Sequence, residues 1–132
     1  MATTPFLPAD AELGPLASRY MDPEALPWKP TPSAGIEMKI LMQDKDSGLL
    51  TALFRWQPGA VLARHEHVEV EQTWVLSGSI VDDEGEALQG HYVWRPKGNQ
   101  HSARSPQGAL VLSFFLKPNR FLDGDLAGRA LE

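Results

Sequence analysis

The sequence predicts an all-β fold, a closed sandwich or jelly roll preceded by an extended N-terminal arm. Three observations carry that expectation. Short apolar or alternating runs recur at close intervals between residues 36 and 116. Gly and Pro clusters separate them, as turns require. No long stretch repeats apolar residues at the helical period. Many short strands with such turns close on themselves and so protect their edges.

The arm comes first. Pro5, Pro8, Pro15, Pro23, Pro27, Pro30 and Pro32 precede any periodic stretch, which leaves extended chain and one short helical turn near Asp22 to Leu26. Tyr20, Leu26 and Trp28 give it apolar groups to bury, so the chain from Arg19 onward is expected to pack on the folded unit. Residues 1–18 are a flexible leader, 19–118 the domain, and 119–132 a tail of weak helical character. The closing Leu131-Glu132 stays open between native chain and added residues.

Ile36 to Met42 alternates as a strand, with Ile36, Met38, Ile40 and Met42 on its core face. Asp44 to Gly48 is a turn, and Leu49 to Gln57 a second strand closed by Pro58-Gly59. Gln72 to Leu76 runs into Ser77-Gly78 and Ser79 to Val81. A hairpin tip follows at Asp82-Asp83-Glu84-Gly85, with a return at Glu86 to Gln89. His91 to Arg95 forms the next strand. Ala109 to Leu116 is apolar on both faces, as in a strand covered on both sides. Gly108 before it, Pro118 after it and its aromatic content favour strand over helix.

Composition narrows the function. The 132 residues suit one domain with one core, 42% hydrophobic and 22% charged. A net charge of −5 argues against nucleic acid, which needs basic patches. With no cysteine, neither a disulfide framework nor a thiolate zinc site can form. No apolar run reaches membrane-spanning length, and Met1 to Asp10 lacks a signal-peptide pattern, so a cytoplasmic location is expected.

The chemistry gathers in two stretches, Gly59-x5-His65-x-His67-x3-Glu71-x6-Gly78 and Gly90-x5-Pro96-x-Gly98-x2-His101. In a strand, side chains at i and i+2 leave the same face, so His65 and His67 point into one space. Glu71 and Glu69 share that parity; Glu71 is favoured because it begins the next apolar strand, leaving Glu69 in the turn. The cluster Pro96-Lys97-Gly98-Asn99 can fold the chain so that His101 returns to the first pair. Three imidazoles and a carboxylate suit one divalent transition metal, Fe, Mn, Ni or Zn, better than calcium or magnesium. Glu71 is also the candidate catalytic residue. His91 lies outside the pattern and reads as a surface or satisfied core histidine. Thr73 and Val75 share the side of Glu71, and Ala103 that of His101. Met38, Ile40, Thr73 and Phe114 (or Phe115) are the candidate substrate walls.

These stretches resemble the paired signatures of the cupin family. The first matches throughout, and the second through its histidine, with Ser105 where the family pattern ends in Asn. Tyr20 to Trp28 and the strand Thr51-Ala-Leu-Phe54 extend the likeness to the cupin portion of ChrR-type anti-sigma factors. They are similar, too, to small oxygenases that cleave acetylacetone or dihydroxyacetophenone. The likeness covers residues 19–118. It implies a double-stranded β-helix barrel with a metal at its mouth held by His65, His67, Glu71 and His101, and a homodimer. The diketone-cleaving relatives bind iron through three histidines and no carboxylate, a pattern from which Glu71 departs.

Four protein ligands on a six-coordinate metal leave two positions for a chelating substrate and dioxygen, or for substrate and water. Two function classes follow. One is a metal-dependent oxygenase acting on a small ketone or β-diketone. The other is a sensor or regulatory module whose zinc- or ligand-filled barrel controls a partner. The sigma-binding part of ChrR is a separate helical zinc domain, for which this chain offers no cysteine. That observation favours the enzyme.

Overall fold

Eleven strands make a single curled antiparallel sheet in the computed structural model, which describes residues 1–6 and 14–122. They are β1 (Ala2–Thr3), β2 (Lys29–Pro30), β3 (Ile36–Asp44), β4 (Leu49–Trp56), β5 (Ala60–Glu66) and β6 (Glu71–Val81). Then come β7 (Glu86–Leu88), β8 (Tyr92–Arg95), β9 (Gln100–Ser105), β10 (Ala109–Phe115) and β11 (Arg120–Phe121). The hydrogen-bonded order is β1-β3-β4-β10-β6-β9-β5-β11, with β2 on β3, and β7 and β8 on β6. The fold is all-β, as expected, and no α-helix occurs among the described residues. The turn expected at Asp22 to Leu26 is a single 3-10 turn, Pro23–Ala25, capped where the Glu24 N–H donates to the Asp22 carboxylate.

The longest strand, β6, organises the sheet. Its first half pairs with β10 and β8, and its second half pairs with β7 and touches β9. Between the halves lies a bulge: Val75 faces Val111 while Ser77 faces Leu110, so Leu76 is an extra residue. An extra residue moves the following side chains to the other face. Gly78 sits just beyond it at φ +73°, where an added Cβ would lie 2.0 Å from the Gly108 carbonyl oxygen. Only glycine fits there.

The concave face carries the core: Ile36, Met38, Ile40, Leu50, Ala52, Phe54, Trp56, Leu62, Val75, Val111 and Phe115 are all buried. Phe54 and Phe115 meet edge to face at 6.0 Å between centroids. Truncating either ring to alanine would cost about 3–5 kcal/mol.

Three expectations are revised. A bulge between Ile40 and Met42 turns Met42 partly outward and buries Gln43 in its place, so the alternation of β3 breaks before its end. Strand β10 is not covered on both faces: Ala109, Val111, Ser113 and Phe115 are buried, while Leu110 and Leu112 are half-buried and Phe114 exposed. The region after residue 118 contributes β11, whose Phe121 is fully buried against the His65 ring. One apolar side chain with a hole to fill outweighs the weak local propensity there.

At the other end, Ala2–Thr3 of the expected leader pairs with β3 at Asp44 and Gln43. Residues 7–13 of that leader, and the tail from residue 123, lie outside the described residues. Trp28 packs where expected, beneath Lys39 and Arg55, while Tyr20 stays exposed. No helix of the described residues is long and apolar enough to cross a membrane.

Candidate metal centre

Two neighbouring strands, the turn after the first and the turn before the second assemble the site. His65 on β5 and His101 on β9 are register partners across an antiparallel pair, with rings 4.5 Å apart. A bulge in β5 makes this so. Leu62 faces Ala103 and His65 faces His101, so β5 spends three residues where β9 spends two. Ala60 and Leu62 point inward on one parity, and His65 and His67 on the other.

His67 follows the end of β5 and is fixed through its backbone. Its N–H donates to the Asn99 carbonyl at 2.8 Å, and its carbonyl accepts from the Gly98 N–H at 2.8 Å. The turn of the second motif is thereby stitched directly to the second histidine of the first. Ser105, at the position where the family pattern has Asn, donates its hydroxyl to the Ser79 carbonyl at 2.7 Å and is wholly buried. It ties β9 to β6.

The three imidazoles form the one compact metal-ligating group of at least three such side chains found among the described residues. Their ligating atoms lie within 4.8 Å of one another. Each ring also faces an oxygen through Nδ1. His65 Nδ1 is 2.8 Å from the Ala63 carbonyl, and His101 Nδ1 is 2.6 Å from Asp82 Oδ2. His67 Nδ1 contacts Glu71 Oε2 at 2.9 Å, out of line for a full hydrogen bond. Oxygen acceptors at Nδ1 select the tautomer that carries its proton there and leaves Nε2 as a lone pair. The Nε2 atoms of His67 and His101 then face each other at 3.0 Å.

Burial reinforces neutrality. It lowers the His65 pKa to about 4, helped by the neighbouring histidines, and lowers that of His101, helped by Arg95. Two ring nitrogens 3.0 Å apart need a hydrogen or a cation between them, and with the ring protons drawn to the oxygens at Nδ1 a cation fills that place. The donor set therefore fits a divalent transition metal.

Glu71 stands beside this group. Oε1 accepts from the Thr73 hydroxyl at 2.8 Å, and Oε2 accepts from Asn119 Nδ2 at 3.3 Å as well as touching His67. Burial alone would raise its pKa, but His67, Thr73 and Arg95 together outweigh that and hold it below the usual carboxylate range. Both oxygens are engaged with supporting partners.

A cavity of about 50 Å³ opens beside the histidines. His65, His101, Glu71 and Thr73 line it together with Ile36, Phe54, Leu62, Val75, Val111 and Phe115. Ala103 and Thr73 take the sides expected of them. Met38 and Ile40 are buried in the core and do not line this cavity, which β3 reaches through Ile36 at its first residue. Phe114 faces outward; Phe115, one residue on, has the inward parity. Glu69 pairs with Lys97 at 3.3 Å in the turn, and His91 is an exposed histidine whose Nδ1 accepts from the Leu88 N–H.

Sequence reasoning missed Asp82, Arg95 and Asn119. Asp82 reads as one residue of a hairpin tip, yet its side chain is buried and bonded to His101 and Arg95. The bulge at Leu76 hid it: odd residues face inward before the bulge, and Ile80 and Asp82 share the inward parity after it.

A family model described as the ChrR cupin-like domain matches residues 17–119. No curated protein matches the sequence. Among solved structures, a candidate acetylacetone dioxygenase from Methylibium petroleiphilum PM1 superposes with a TM-score of 0.78 at 23% identity, over 90% of each chain. An acetylacetone dioxygenase from Acinetobacter johnsonii gives 0.69 at 20% identity, over 91% of this chain and 87% of that one. The anti-sigma factor ChrR of Rhodobacter sphaeroides, solved with SigE, gives 0.58 at 20% identity, over 67% of this chain and 47% of that one. Likeness at these identities establishes the fold.

Proposed function

The chain belongs to the ChrR cupin-like family, and on that premise we propose that it is a metal-dependent cupin enzyme, an oxygenase that cleaves a small ketone or β-diketone. One observation carries the reading: three buried imidazoles bring their ligating nitrogens within 4.8 Å of one another beside a mostly apolar cavity. His65, His67 and His101 would hold the metal. Glu71, expected from the sequence as a fourth ligand, instead braces His67 from behind, and a three-histidine set is the pattern of the diketone-cleaving relatives. Its role as ligand is the alternative that substitution separates.

When bound, ferrous iron would supply Lewis acidity toward an enolate and electrons for dioxygen. The residues of the chain do the rest. Ile36, Phe54, Leu62, Val75, Val111 and Phe115 form an apolar wall that keeps bulk water out and admits a compact, weakly polar substrate. The cavity has room for a few waters or a ligand of similar size.

We also propose a homodimer through the outer face of the sheet. Leu53, Leu112, Trp74 and Tyr92 stand in one cross-strand row, and Phe114, Gln72 and Trp94 in the next. Trp74 is 46% and Trp94 58% exposed, an unusual concentration of aromatic surface for a monomer.

The likeness to ChrR supports a second reading, a metal- or ligand-binding regulatory module without catalysis. Oxygen uptake separates the two. Metal-stripped protein is loaded anaerobically with iron, manganese, nickel, cobalt or zinc, then assayed over a panel of β-diketones and hydroxyacetophenones. Uptake with a redox-active metal supports the oxygenase. No uptake with any of them, together with a strong preference for zinc, supports the regulatory module.

A further inference from the structure

Asp82 occupies the turn after β6 and is built into it from both sides. Oδ1 accepts from the Glu84 N–H at 2.9 Å and from the Gly85 N–H at 3.0 Å. Oδ2 is shared between His101 Nδ1 at 2.6 Å and the Arg95 guanidinium at 3.0 Å. Its side chain is 4% exposed, and Arg95 is 12% exposed. A carboxylate held by two backbone amides and a guanidinium has no freedom to follow a rotating ring, so the ring must follow it.

We propose that Asp82 is the positioning residue of the centre: it fixes the tautomer and orientation of His101 so that Nε2 faces His65 and His67, and Arg95 locks it in that role. The proposal rests on the metal-centre reading above and assigns a task to Asp82, which lies between the two motifs, and to Arg95, at an unspecified position of the second. Partners of this kind behind a ligating imidazole raise its basicity and remove rotational freedom that binding would otherwise have to quench. His65 takes the same support from a backbone carbonyl, which substitution cannot remove. Asp82 is thus the point where the arrangement can be switched off by one atom.

The substitution Asp82→Asn tests it. With its oxygen still accepting from Glu84 and Gly85, which preserves the turn, the amide gives up the Arg95 ion pair and turns an N–H2 group toward His101 Nδ1. That nitrogen must become the acceptor, and the proton moves to Nε2. Imidazole 15N spectra of metal-free protein should show His101 as the Nδ1–H tautomer in the wild type and the Nε2–H tautomer in the variant. Zinc affinity, measured by chelator competition, should fall about 10- to 100-fold. An unchanged tautomer together with zinc affinity within about twofold of wild type would overturn the proposal, since ligand partners of this kind matter tenfold or more. Should the variant fail to fold, the wild-type spectrum alone still decides: a His101 already in the Nε2–H form refutes the role. The tautomer is read without metal, so failure of this role is distinguishable from failure of the metal-centre reading.

Discussion

His67 Nε2 lies 3.0 Å from His101 Nε2, while the other nitrogen of each ring is turned toward a carboxylate, Glu71 for one and Asp82 for the other. Two imidazoles so arranged present lone pairs to the same point. The pairing brings together residues 34 apart in sequence, and it depends on the backbone bonds that join His67 to Gly98 and Asn99.

His101→Ala should abolish metal binding and leave the fold intact, because the ring lies at the end of a strand whose pairing is made by backbone. Metal content after loading should collapse while circular dichroism is unchanged. In the wild type, metal bound a hundred- to a thousandfold above its dissociation constant should add roughly 3–4 kcal/mol of stability. A variant that keeps full metal content would remove His101 from the centre.

Glu71→Gln distinguishes bracing from ligation. A residue that only steadies His67 should leave one ion bound, with affinity lowered about 10- to 100-fold. Complete loss of the ion, with circular dichroism unchanged, would make Glu71 a ligand and return the centre to a four-ligand set.

Acid should destabilise the metal-free protein over a defined window. Burial lowers the His65 pKa from the ordinary 6.5 to about 4. Between those values the unfolded chain takes up a proton that the folded chain refuses. Stability is therefore full above the upper value and is lost as pH falls to the lower one, by roughly 3 kcal/mol. Glu71 and Asp82, both held below their usual range, add to the loss at lower pH, since their stabilisation is present only while they are ionised. Urea unfolding of chelator-treated protein should show this slope. A flat profile across the window would mean that His65 titrates normally.

Much of this was legible in the sequence because it is local. Spacing placed His65, His67 and His101 in one group, and turn chemistry at Gly59, Gly78 and Gly98 punctuated the strands around them. What stayed hidden followed from long-range register. Bulges in β3, β5 and β6 each reverse the inward parity partway along a strand. Met42 therefore turns outward, and Asp82, read as turn surface, becomes the partner of His101. Phe114 is a different case, a choice between adjacent residues in a run apolar at both parities. Met38 has the inward parity expected of it, but on its strand it is Ile36, at the first residue, that lines the cavity.

The outer face should dimerise. A stable interface needs roughly 800 Å² per partner with aromatic anchors at its centre, and the rows led by Trp74 and Trp94 offer the anchors. Trp94→Glu should sediment as a monomer with unchanged circular dichroism. A wild-type protein that already sediments as a monomer, or a variant that stays dimeric, would leave this face without a second copy.

A single transition metal held through Nε2 of three histidines leaves a direct crystallographic signature. Crystals of the metal-loaded protein, measured on both sides of the metal absorption edge, test it most directly. One anomalous peak about 2.0–2.2 Å from Nε2 of His65, His67 and His101, with Nδ1 of His101 still on Asp82, is the predicted result. A peak elsewhere, coordination through Nδ1, or no peak after loading would contradict it.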